Sequence, residues 1–330
     1  MRQDLNRKQS YKMRLPAVAL LTALGFIGTS TLARAQQLID AEDQFQVVET
    51  LSNGAPLMTN WPVAETTNAH GDQLDVWRAD GDATQPQPLW MSINHGPAMK
   101  VGNAMTLAGP AVVSFGPEGF MIVHTGTNNN IYFTTVKAGT KGQDVTWSVL
   151  QSLATPSNFS VSIAPLNEGS TQEIVVYKGL NDSNIHETWS TGNLVWSADS
   201  PIPGIASELP PAICFNNKGN SLFLAYSAAK TSFLTVTAQS VGATSSPQGV
   251  NTKTVGIFPS CTATASGNVV VSFADEAGIP TFIRYDQDQN FIDFSVIAAF
   301  GFPKVVSRGN GVWLLNTEFS GISTFTQIYQ

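Results

Sequence analysis

The stretch Ser183–Gly204, "SNIHETWSTGNLVWSADSPIPG", sets Glu187 beside His186 and carries Trp196 a few residues on. A carboxylate, an imidazole and an indole are groups that hold a sugar: the aromatic face meets the apolar face of a pyranose while polar neighbours satisfy its hydroxyls. Tyr177, just upstream, and Trp77, in a less regular part of the chain, complete the candidate ligand-binding set. The aromatic positions also have an architectural reading. Trp147 in "VTWSV" and Trp196 in "LVWSA" recur, as do Tyr177 and Tyr226, and large aromatics in repeats fill the cores between units.

Other chemistries find less support. The histidines His70, His95, His124 and His186 never pair at i, i+4, so the helical zinc signature is missing, and no G-x-S-x-G nucleophile turn occurs. Asp80 and Asp82 in "RADGDAT" lack the spaced oxygen ligands of a calcium loop and fit a hairpin turn. A sialidase-type site would need Arg78, Arg284 and Arg308, the three arginines beyond residue 35, to converge. The expectation is no catalytic residue, no metal and no cofactor, with a divergent glycoside hydrolase or sialidase-like enzyme as an alternative.

The elements that must position these residues are strands. One unit recurs: a small or Pro-led strand, a turn with Gly or Asn, a strongly apolar strand, then a third strand. The leading strands read "APLMT" at 55, "GPAVVSF" at 109, "SVSIAPL" at 160, "PPAICF" at 210, "PSCTATA" at 259 and "PKVVSR" at 303. The second strands read "QLDVWRAD", "GFMIVHTG", "EIVVYKG", "SLFLAYS", "NVVVSFAD" and "GVWLLNT". A period of roughly 40–50 residues with several short strands per unit predicts an all-β propeller of six blades, each of about four antiparallel strands. A β-sandwich is the alternative fold, though it leaves six units in register unexplained.

The last unit stops after its third strand, "STFTQIYQ", and the segment "DQFQVVETLS" near the start is apolar enough to supply the missing outer one. Such a closure joins the two ends of the ring and covers an open sheet edge. As read, the six leading strands contain no Asp or Glu. Glycosidases need two carboxylates converging on the reacting bond, so enzymatic cleavage is disfavoured.

Cys214 and Cys261 are too few for a disulfide scaffold. Aligning "GNSLFLAY" with "GNVVVSFA" puts the two cysteines at opposite parity in neighbouring leading strands. Both sulfurs then point into one gap between blades, where a bridge would form; two small buried hydrophobes are the other reading.

The N-terminus reads as an export signal: Arg2, Arg7, Lys8, Lys12 and Arg14, then "PAVALLTALGFIG", then Ala33-Arg34-Ala35. Cleavage after Ala35 leaves one propeller domain, 36–330, in a secreted or periplasmic setting. Residues 1–35 hold six of the 17 basic residues and one of the 24 acidic ones, so the remainder is strongly acidic with no basic cluster. Nucleic acid is a poor partner for such a surface, and no later segment predicts membrane insertion.

Residues 173–199 resemble a blade of the secreted six-bladed fucose-binding lectins of fungi and bacteria. In that family a blade reads approximately I-R-V-Y, then I-x-E, then a Trp after a Gly-rich turn, with Arg and Glu gripping sugar hydroxyls. Here Ile174-Val175-Val176-Tyr177 matches the first element, Ile185-His186-Glu187 the second and Val195-Trp196 the third. The Arg position is held by Val175, by Ile122 in the preceding blade and by Asp75 in the first, so the gripping pair is incomplete. The resemblance implies an exported, non-enzymatic, lectin-like propeller whose partner is a glycan. A propeller that binds an extracellular protein is the alternative.

Overall fold

A computed structural model gives the fold of the chain. It describes Gln46–Val48, Thr59 and residues 61–329 apart from 83, 139–145, 149, 240–249, 289, 297–301, 309–310 and 318–322. The expected export segment, 1–35, lies outside the described residues.

Six antiparallel sheets follow one another around a ring, and no helix occurs among the described residues. Blade 1 runs Ala64–Thr67, Gln73–Arg78, Gln87–Ile93 and Met99–Thr106. Blade 2 runs Ala111–Phe115, Gly119–Thr125, Asn130–Lys137 and an outer edge in two pieces, Thr146–Trp147 and Gln151–Pro156. Blade 3 comprises Ser162–Pro165, Glu173–Lys178, Asn184–Trp189 and Ser200–Ala206. Blade 4 comprises Ala212–Asn216, Ser221–Ser227, Phe233–Gln239 and Val250–Thr254. Blade 5 holds Ile257–Ala263, Val269–Ala274, Pro280–Tyr285 and Phe291–Val296. Blade 6 holds Phe302–Arg308, Gly311–Thr317 and Ser323–Tyr329, and its outer strand is Gln46–Val48 from the other end of the chain. Val47 pairs with Phe325, as the expected closure requires.

The second strands read as unbroken apolar runs because each is covered on both faces. Every residue of Gly119–Thr125, Glu173–Lys178 and Val269–Ala274 is buried. Alternate residues face alternate gaps. Val175 and Tyr177 pack towards blade 2 with Val113 and Phe133, whereas Ile174 and Val176 pack towards blade 4 with Ile213 and Leu224. Neighbouring blades are also tied near the axis. The Ser162 hydroxyl accepts from Ile213 N at 3.0 Å, and that of Ser260 accepts from Val305 N at 3.3 Å. Cys214 and Cys261 form a disulfide between the inner strands of blades 4 and 5, with Cα atoms 5.7 Å apart.

One expectation fails in blade 1. Its leading strand is Ala64–Thr67, not the "APLMT" segment, of which 55–58 lie outside the described residues. The sequence Ala-Glu-Thr-Thr lacks the apolar signature because this part of the wall is polar. It puts Glu65 on an inner strand, so the reading that these strands carry no carboxylate is overturned.

Candidate functional site

The pairing of blade 3 decides which side chains meet. Tyr177 stands opposite His186, Val176 opposite Glu187 and Val175 opposite Thr188. Tyr177 faces the gap towards blade 2, and so does its cross-strand neighbour His186. Glu187, one residue on, faces the gap towards blade 4, between Ile185 and Trp189 on its own strand. The structure therefore brings His186 and Tyr177 together and sets Glu187 on the other side of the blade. The position aligned with the lectin Arg, Val175, is likewise across the sheet from Glu187.

The meeting point of blades 2 and 3 holds a polar cluster. The His186 ring stacks on Tyr177, centroids 5.6 Å apart and planes 24° from parallel. The Tyr177 hydroxyl donates to Asp199. His186 Nδ1 lies 3.2 Å from both Asp199 oxygens, and its Nε2 lies 3.4 Å from Asp182 Oδ2. Burial grades outward, from Tyr177 with no exposed surface to His186, Asp199 and Asp182 with side chains 15%, 31% and 44% exposed. Burial first, then Asp199, pushes the Tyr177 phenol well above its ordinary range, so it stays a proton donor. Burial works against ionisation at Asp182, but hydrogen bonds from Asn184 and His186 outweigh it and hold the carboxyl below its usual value.

Gly179 fits this cluster closely. A Cβ there would collide with the Asp182 carboxylate and come within 2.9 Å of His186 Nε2. Lys178 completes the rim: its amine donates to the Asp182 carbonyl at 3.1 Å and sits 4.4 Å over the Phe159 ring. The neighbouring blade repeats the pair with its members exchanged. His124 stands opposite Tyr132 with centroids 5.8 Å apart, and burial lowers the His124 pKa to about 4.

Trp196 lies in the same gap as Tyr177 but packs against Phe133, centroids 5.4 Å apart, with its indole nitrogen buried and unpartnered. It pairs across to Ser190, whose backbone N–H donates to the Glu173 carbonyl at 2.7 Å. Glu173 has no exposed surface and no hydrogen bond to either carboxyl oxygen, and burial raises its pKa to about 8. Sequence reasoning passed over Glu173. The available signal was a lone acid opening the run "EIVVYK", which is otherwise apolar up to its lysine. Trp77 is 5% exposed, stands opposite Trp90 and packs with Val63, Val306 and Leu315 in the seam between blades 6 and 1.

The three arginines occupy three separate places. Arg78, fully buried, donates to the carbonyls of Asp82 and Gln85 at 2.9 and 2.7 Å. Arg284 pairs with Asp293 on the outer strand of blade 5. Arg308 grips both oxygens of Glu65 across the seam. They form no cluster for a substrate carboxylate. Among the described residues, no group of three His, Cys, Asp or Glu side chains is placed to hold a metal ion.

No family model matches this sequence, and no curated protein matches it. Solved structures do match in fold. The fucose-specific lectin from Aleuria aurantia superposes with a TM-score of 0.63 at 14% identity, over 83% of this chain and 94% of that one. A lectin from Burkholderia pseudomallei gives 0.63 at 11% identity, over 82% of each chain. A protein from Arthrobotrys oligospora gives 0.56 at 11% identity, over 87% of this chain and 90% of that one. The structures to which this chain is similar thus include six-bladed fucose-binding lectins, and the propeller is shared with them.

Proposed function

We propose that this chain is an exported, non-enzymatic, glycan-binding propeller whose sugar site opens where blades 2 and 3 meet, at Tyr177, His186, Asp199 and Asp182. The observation that carries the reading is the cluster itself: an imidazole stacked on a buried tyrosine, flanked by two part-exposed carboxylates. Carboxylates and imidazole nitrogens are suited to pairs of vicinal hydroxyls, and the buried Tyr177 behind them holds the imidazole and Asp199 in place. Similarity in fold to lectins solved with fucosides supports the class of ligand and leaves the particular sugar open. Glu187, buried and facing the next gap beside Trp189, lies outside this site. Trp196 would back the first site by fixing Phe133, and Trp77 would act only as packing. Export rests on the leader-like residues 1–35, and among the described residues no helix is long and apolar enough to cross a membrane.

A glycan array probed with the protein beginning at Gln36 tests this directly. Binding to a defined set of glycans is expected, with a loss of roughly 10- to 100-fold in His186→Ala and Asp199→Asn, the weight of one or two hydrogen bonds to charged groups. Absence of binding to every glycan at high protein concentration would remove the proposal.

A further inference from the structure

Inside the ring, the inner strands of all six blades frame a cavity of about 560 Å³. Its wall is almost uncharged, made of prolines, small apolar residues, serines and threonines, and it includes two charged residues, Glu65 and Lys304. The two are not equivalent. The Glu65 side chain has no exposed surface, and both its oxygens accept from Arg308, which ends the strand that carries Lys304. Lys304 makes no side-chain hydrogen bond or ion pair among the described residues.

We propose that the central channel is a separate ligand site, taking a small carboxylate-bearing molecule whose anionic group pairs with the Lys304 ammonium. Arg308 is already paired with Glu65, which leaves Lys304 as the cationic side chain of the cavity wall. A part-buried ammonium with no hydrogen-bonded partner is incompletely solvated, and an entering anion supplies that partner. Burial lowers the Lys304 pKa to about 8, with Glu65 opposing the shift. Of the other charges nearby, Arg308 on the same strand pairs with Glu65, and the buried Asp75, opposite Glu65, accepts from Gln73 Nε2 at 2.9 Å and lies 3.7 Å from His95 Nδ1. The cavity volume falls within the range of small-molecule sites, and Thr66, Ser114 and Thr262 offer hydroxyls around it.

Titration calorimetry with D-glucuronate and, as the uncharged control, D-glucose tests the site. At about pH 6.5 glucuronate is expected to bind and glucose not to. The affinity should fall by roughly tenfold or more at about pH 9.5, where the amine is neutral, and in Lys304→Met. No glucuronate binding, or equal binding by a folded Lys304→Met protein, overturns the proposal. Should that variant fail to fold, acetylation of the native protein, mapped by mass spectrometry, gives the answer instead. Glucuronate must slow labelling at Lys304, and unchanged labelling counts against the site. Variants at His186 and Asp199 should keep glucuronate binding, which separates this site from the one between blades 2 and 3.

Discussion

Glu65 and Arg308, 243 residues apart in the chain, are joined at both carboxylate oxygens, so the first and last blades share a part-buried ion pair as well as the closing strand. Arg308→Ala strands a fully buried carboxylate and should cost about 3–5 kcal/mol in chemical denaturation. Replacing both partners, Glu65→Leu with Arg308→Met, should cost far less, since it removes the charge together with its partner.

Glu173 should make stability fall as pH rises. Its pKa is raised from 4.5 to about 8, so the folded chain keeps a proton that the unfolded chain releases. The benefit is complete below pH 4.5 and is lost progressively until about pH 8, a change on the order of a few kcal/mol. Glu173→Gln should flatten that fall in melting temperature and be the more stable protein at alkaline pH.

His124 acts in the opposite direction. Its pKa is lowered from 6.5 to about 4, so it is neutral when folded, while the unfolded chain takes up a proton on acidification. Stability from this group is complete above pH 6.5 and declines as pH drops towards 4. His124→Gln should weaken the acid dependence of denaturation midpoints; an unaltered profile would contradict the assignment.

The Cys214–Cys261 bridge closes a loop with a sequence separation of 47. The chain-entropy relation gives about 4 kcal/mol for a loop of this size. Thiol reduction, or a Cys214→Ala, Cys261→Ala double variant, should lower the unfolding free energy by an amount of that order.

Gly179→Ala separates site from scaffold. The added methyl collides with Asp182 and His186, so the cluster must open while the cores between blades stay as they are. Glycan binding should fall several-fold, with a stability change of about 1 kcal/mol or less. A large drop in melting temperature with full binding would run against the proposed role of the cluster.

The sequence by itself determined the ring. Small or Pro-led strands followed by apolar runs such as "EIVVYK" and "SLFLAY" specify strands covered on both faces, because only such strands can be apolar at every position. Their spacing set six blades, and the apolar segment around Val47 had an unfilled edge to meet. The opposite parity of Cys214 and Cys261 also placed both sulfurs in one gap. Alternation alone separates His186 from Glu187, since adjacent strand residues point to opposite faces.

Tertiary structure decided the rest. Which gap each face enters depends on how neighbouring blades pack. The joining of Asp199 to Tyr177 and His186 depends on an irregular register between the third and outer strands of blade 3. Glu65 was hidden for a different reason: Ala-Glu-Thr-Thr carries no apolar signal, and a charge on the inner wall is stable only because Arg308, at the far end of the chain, folds back to meet it. Hydrophobic patterning is local and can be read along a chain. The pairing of polar groups across blades is set by contacts that exist only once the ring has closed.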